Sequence, residues 1–195
     1  MCVVFGVGLG YRDIEYQAFN TRRGERIPRF EESLELIRRL WTQEEVSFQG
    51  KHFSIENATC TIRPVQQPHP PIWLPSQGSL ETVIFAAERK YPYMQVFSPF
   101  STVKRILDEY KNQAQNFGYE ASPEQLGWAV PLYVAETDEK AWEEAGPHID
   151  FLFNKLLKRP FQQFFPPGYL TEKSMSRVMG DKTVGDKQHD PRDMN

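Results

Sequence analysis

The 195-residue sequence predicts an α/β fold built from parallel βα units. Short β-branched and aromatic segments alternate with amphipathic ones, strand then helix, four times over, and such alternation lays successive strands parallel in one sheet. Hydrophobic residues make up 39% of the chain and aromatics 13%, which is enough for a packed core. Alternation alone allows a doubly wound sheet or a barrel. A complete (β/α)8 barrel usually needs ~250 residues and eight strands, so the chain reads as a small open sheet or as a piece of a barrel.

The first element is a strand from Cys2 to Leu9, where β-branched and aromatic residues alternate with glycine. YRDIEYQAFNTRRGER follows as a polar and aromatic loop. IPRFEESLELIRRLW places Ile27, Phe30, Leu34, Ile37 and Trp41 at helical spacing, with Pro28 in the first turn. Glu31 and Glu32 stand towards its positive end, and Arg38 and Arg39 towards its negative end. In EEVSFQGKHFSIEN, Val46 and Phe48 and then Phe53 and Ile55 flank Gln49-Gly50-Lys51, which predicts a small β-hairpin.

CTIRPVQQPHPP cannot be helical and reads as a linker. Ile72-Trp73-Leu74 is a short buried strand, and SQGSLETVIFAAERK turns from it directly into a helix. Tyr93 to Phe97 is the next strand. STVKRILDEYKNQAQNFG is the next helix, capped by Ser101 and stopped by Gly118. Trp128 to Ala135 gives a further strand whose ladder bonding Pro131 limits. Thr137-Asp138-Glu139 opens a helix running to Leu157, kinked or interrupted at Pro147. Beyond Pro160 the sequence predicts one short helix and then a charged tail with no apolar period, read as disordered.

Composition excludes several function classes. Lys and Arg number 23 against 26 Asp and Glu, for a net charge of −3, and no basic block offers itself to nucleic acid. No apolar run approaches the ~20 residues that cross a bilayer, and the opening segment lacks the pattern of a signal peptide. Cys2 and Cys60 read as free thiols in a reducing cytoplasm. His52, His69, His148 and His189 show no ligand spacing, so no metal site is expected. His69, in PHPP, reads as a loop residue rather than a base.

Two stretches can carry chemistry. Gly6, Gly8 and Gly10 are spaced G-x-G-x-G, not the G-x-G-x-x-G of a dinucleotide loop, and the next helix lies some way off. Period two puts the three glycines on one strand face and Phe5, Val7, Leu9 and Tyr11 on the other. That bare face admits either a flat ligand or close packing. In IWLPSQGSLET a strand ends, Gly78 turns, and Ser79 stands at a helix start with Thr82 one turn on. The amides there offer an anion site, or Ser79 serves only as an N-cap. No nucleophile–base pair is visible. Glu44-Glu45 and Glu143-Glu144 read as solvated helix ends, and Phe164-Phe165 with Pro166-Pro167-Gly168-Tyr169 covers a pocket or packs on the core.

The ordered set GVGLGYRDIEYQAF, the RxxRFEESLELIRRLW helix, VSFQGKHFSI, PVQQPHPPIWL, VAETDEKAWEEA and FFPPGY resembles the bacterial luciferase-like monooxygenase family over about residues 3 to 170. The resemblance implies a partial (β/α)8 TIM-type barrel: four parallel βα units corresponding to strands four to seven, with a small hairpin insertion. It implies a barrel domain over 1–170 and a short helix and disordered tail over 171–195. It further implies that Gly78, Ser79 and Thr82 hold a flavin phosphate, and that Gly8 and Gly10 give strand-end clearance for the flavin or for interior packing.

The family's phosphate-neutralising arginine is matched here by Leu9, which leaves Arg12 as the alternative charge. Its catalytic histidine comes from an earlier part that this chain does not match, so no catalytic residue is assigned. The implied reaction uses reduced FMN from a separate reductase, with O2, to oxygenate a small organic substrate; a deazaflavin is the alternative cofactor. Four units leave two open sheet edges, so the chain is expected to be impaired alone and to associate with other chains. The competing readings are a flavin- or phosphate-binding remnant without turnover and a sugar-phosphate barrel enzyme; the latter accounts for Ser79 but not for the ordered motifs.

Overall fold

A computed structural model of the chain describes residues 3–10 and 12–157. Cys2, Tyr11, His189, the Phe164–Tyr169 stretch and the 171–195 tail singled out in the sequence lie outside the described residues. The chain separates into two compact units that divide between Trp73 and Leu74.

The first unit holds β1 (Phe5–Gly6), α1 (Asp13–Ala18), α2 (Arg26–Thr42), β2 (Val46–Gln49), β3 (Ser54–Ala58) and the first half of β4 (Ile72–Ser76). The second holds the rest of β4 and α3 (Leu80–Glu88), β5 (Tyr93–Val96), α4 (Phe100–Asn116), β6 (Leu126–Ala129) and α5 (Asp138–Phe151). All strand pairings in the order β1-β4-β5-β6 are parallel, as the βα alternation predicts. β2 and β3 form the antiparallel hairpin, with Phe48 opposite Ile55.

In the first unit, α2 forms because its apolar positions recur at helical spacing. Leu34 is buried, and Trp41 meets the Phe5 ring edge-on at 5.1 Å. Ile27, expected on the same face, is exposed. Glu32 does more than complement the helix dipole. Its carboxylate accepts the backbone N–H groups of Lys51, His52 and Phe53 at 2.9, 2.8 and 3.3 Å, tying the hairpin turn to α2. A Cβ on Gly50 would strike that carboxylate and stand 2.7 Å from the Phe48 ring, so this turn takes glycine.

In the second unit the core lies between the sheet and α3 and α4. Val83, Ala86 and Ala87 of α3 and Val103, Ile106, Tyr110 and Ala114 of α4 are buried at i, i+3/i+4 and i+7 spacings. Each fully buried large side chain contributes roughly 1.5–3 kcal/mol. α4 ends as the sequence predicts. Gly118 has φ +80°, its N–H reaches Gln115, and Tyr119 N–H reaches Ala114, a closing pattern that satisfies the last carbonyls.

Three element boundaries correct the sequence reading. Pro99, not Ser101, is the N-cap of α4, because the helix begins one residue before Ser101. The expected strand over 128–135 is instead Leu126–Ala129, and Leu132, Tyr133 and Val134 beyond it are exposed. Pro131 offers no N–H to a ladder, which accounts for the early end. The strand expected over 2–9 narrows to Phe5–Gly6, although Val7 N–H still bonds Trp73. α5 is capped by Thr137, whose hydroxyl accepts from Lys140 N–H, and it runs through Pro147 as one helix. A π-helical turn follows over Leu152–Leu156.

Candidate functional site

In the second unit, β4 ends at Ser76 and α3 begins at Leu80, so three residues make the turn between them. Gly78 is its pivot. It is buried at φ +98°, a conformation that side-chain-bearing residues rarely adopt. A Cβ there would sit 3.2 and 3.3 Å from the Ile106 side chain. Ser79 holds the N-cap position but its side chain makes no capping bond; the hydroxyl donates to the Glu81 carboxylate at 2.7 Å. The simple N-cap role therefore does not describe Ser79. Thr82 follows one turn along, half-buried.

Beneath this turn lies a polar network that sequence reasoning missed. Tyr93 OH donates to Gln95 Oε1 at 2.7 Å, Gln95 Nε2 donates to Ser98 Oγ at 2.7 Å, and Ser98 Oγ donates to Val96 O at 3.1 Å. Tyr93, Gln95 and Ser98 are all buried. Burial raises the Tyr93 pKa far above the ordinary value, opposed by the nearby Ser76 hydroxyl and Gly78 N–H, and that N–H donates to Ser76 Oγ at 3.3 Å. The phenol stays protonated and remains a donor. One signal was available: period two puts Gln95 on the same face of the YMQV strand as Tyr93, and in the structure that is the buried face.

Register and pleat put the intervening residues on the opposite sheet face. Met94 pairs with Gly127 and Val96 with Ala129, all half-buried and none with a polar side chain. This is an apolar wall, fit to exclude water.

The glycine segment belongs to the first unit. Gly6 and Gly8 are exposed, with no atom within 4 Å of a built Cβ, while Phe5, Val7 and Leu9 are half-buried, as period two predicts. Gly10 differs. Its φ of +69° makes it a turn residue, clasped by Tyr16, whose hydroxyl donates to Leu9 O at 2.6 Å and to Gly10 O at 3.2 Å. Conformation, not clearance along a strand, requires glycine there. Arg12, the alternative charge, pairs with Glu15 at 3.5 Å. A cleft of about 280 Å³ runs from Phe5–Gly8 to Phe30, Leu34 and Ile37 of α2. Its one side-chain hydroxyl, Ser33, bonds Phe30 O, so the cleft has no charge to fix an anion.

His52 is buried beside Arg29 at 3.3 Å, and His69 bonds Pro70 O at 2.8 Å in its loop. Among the described residues no group of three His, Cys, Asp or Glu is placed to hold a metal ion. Nor is any described helix long and apolar enough to cross a membrane. Glu144 is not simply solvated, because it accepts the Tyr133 hydroxyl at 2.6 Å.

A model of the luciferase-like monooxygenase family matches residues 3–193. The chain belongs to that family. Among solved structures it is similar to the monooxygenase RslO1 of Streptomyces bottropensis, at 26% identity and a TM-score of 0.66 over 80% of this chain and 47% of that one. It is also similar to the oxygenating constituent of 3,6-diketocamphane monooxygenase of Pseudomonas putida, a type II Baeyer-Villiger monooxygenase in complex with FMN. There identity is 18% and the TM-score 0.65, over 79% and 47%. A secondary alcohol dehydrogenase dependent on the deazaflavin F420, in complex with an F420-acetone adduct, follows at 20% and 0.54, over 80% and 48%. The last two speak to the fold alone. This luciferase-like chain thus spans about half the length of these structures, and its parallel βα units correspond to part of their TIM-type barrel.

A flavin phosphate can be tested against the β4–α3 turn. Gly78 makes the turn by its positive φ, with the core packed where a Cβ would stand, and the side chain of Ser79 does not occupy the helix start. The uncapped helix start fits an anion. Glu81 opposes it: its carboxylate holds the Ser79 hydroxyl that a phosphate would take. Backbone and hydroxyls fit, provided Glu81 releases Ser79, which its exposed position permits.

Proposed function

We propose that this chain binds the phosphate of a flavin or deazaflavin at the β4–α3 turn. It then serves an oxidoreductase reaction of the monooxygenase type, with reduced FMN and O2 acting on a small organic substrate. The observation that carries this reading is the start of α3 just past the Gly78 turn, where Ser79 holds the N-cap position without its side chain capping the helix. Gly78 makes the turn that presents the α3 amides as donors to the phosphate, and Ser79 and Thr82 add hydroxyls. Met94, Val96, Gly127 and Ala129 exclude water from the sheet face behind the strand ends. A bound flavin would supply the electrons; the residues named here bind and orient it.

A second reading is favoured by the turn itself, which offers binding groups while Glu81 holds the Ser79 hydroxyl. It is a flavin- or phosphate-binding remnant without turnover, or an assembly partner. Titrating oxidised and reduced FMN into the protein while recording oxygen uptake separates the two. Uptake that depends on both flavin and substrate supports the monooxygenase. Binding without uptake across varied substrates supports the remnant, and no binding at micromolar flavin defeats both. A separate reductase and association with other chains belong to the first reading, and gel filtration with and without a reductase checks them.

A further inference from the structure

We infer that Gln95 is a positioning residue for the phosphate turn, held in place by Tyr93, packed beneath Gly78 and tied through Ser98 to the next turn, an inference that rests on the phosphate reading above. Gln95 is fully buried on β5. Its carbonyl oxygen accepts the Tyr93 hydroxyl and its amide donates to Ser98, so both ends of the side chain are committed. Ser76, the register partner of Gln95 on β4, carries the link onward, since its hydroxyl accepts the Gly78 N–H at 3.3 Å. A built Cβ at Gly78 would stand 3.6 Å from Gln95 Nε2. The glutamine amide therefore forms the floor of the turn.

Ser98 stands between β5 and α4, the corresponding βα turn one strand along. One side chain thus fixes the exits of two neighbouring parallel strands, and ligands of parallel α/β sheets bind at those carboxyl ends. An apolar residue of equal volume would fill the same space, but it would leave Tyr93 and Ser98 without their partners. Buried polar networks of this kind hold geometry when every member is satisfied. The geometry held here is that of the backbone from Ser76 to Ser79.

The test compares FMN with riboflavin, which has the same ring system and no phosphate, by flavin fluorescence titration of the whole chain. Wild type is expected to bind FMN at least about tenfold more tightly, as charge-assisted hydrogen bonds to the phosphate require. Gln95→Met should keep its circular dichroism spectrum and its riboflavin affinity to within about twofold while losing the FMN preference about tenfold. Tyr93→Phe, which keeps the ring and removes the hydroxyl that holds the Gln95 carbonyl, should give the same selective loss and decides the matter should Gln95→Met not fold. Folded variants that retain the FMN preference, or that lose FMN and riboflavin alike, overturn the inference. A wild type that binds the two flavins equally overturns the phosphate reading itself, and that result is read without any variant.

Discussion

Replacing Gly78 by alanine tests the turn most directly. Two costs are visible. A residue with a Cβ held at φ +98° is strained by about 1–3 kcal/mol. The added Cβ would also lie 3.2 and 3.3 Å from the Ile106 side chain, which is 2% exposed and packed in the core. Ile106 must give way by a few tenths of an ångström, and overpacking of this kind typically costs about 1–3 kcal/mol. Partial relaxation shares the two terms, so Gly78→Ala should lose about 2–4 kcal/mol. For a chain of this size that lowers the Tm by roughly 5–15 °C. Urea denaturation followed by circular dichroism should show a lower midpoint at unchanged slope. Gly8→Ala is the control: nothing lies within 4 Å of its Cβ, so the change should stay within about 0.5 kcal/mol. If the two substitutions prove equally mild, Gly78 is not held as described and the reasoning about the turn fails.

Further outcomes follow from the same geometry. Glu81→Gln removes the carboxylate that holds Ser79, so isothermal titration should show FMN affinity rising by about two- to fivefold, with stability falling slightly as a favourable charge leaves the helix start. At Glu32, contact with the turn disfavours ionisation, but three backbone N–H donors outweigh it and set the pKa below its ordinary value of 4.5. Its contribution is therefore complete above pH 4.5 and is lost as pH falls through the lowered value. The stability gap between wild type and Glu32→Ala, measured by denaturation against pH, should close in acid. Tyr110→Phe removes the hydroxyl that donates to Tyr91 O at 2.9 Å inside the core and should cost about 1 kcal/mol in the same assay. Burial raises the Tyr110 pKa above the ordinary tyrosine value, so ultraviolet titration should find that phenol still protonated where exposed tyrosines have ionised.

Local pattern was enough for much of the fold. The stripe in α2 apart from Ile27, the Gln49-Gly50-Lys51 turn, the Gly118 stop and the Thr137 cap depend on residues a few positions apart, and they stand as the sequence reads. The candidate turn at Gly78 and Ser79 was legible for the same reason: strand, glycine and helix start adjoin in the chain. The errors lie where a distant partner decides. Strand length at β1 and β6 depends on which neighbour offers a ladder, and the Ser79 hydroxyl chooses between its own helix and Glu81 by geometry.

The sequence by itself determined the family and the order of the strands and of α2 to α5, while α1 (Asp13–Ala18) stands where the sequence reads as a loop. These follow from backbone propensity and periodicity, which act over one or two turns. Only the tertiary structure decided that Glu32 clamps the hairpin, that Gly10 is a turn residue held by Tyr16, and that Gln95 lies beneath Gly78. Those pairings join residues up to about twenty positions apart. A side chain's partner across such distances is fixed by packing in three dimensions, which no local pattern encodes.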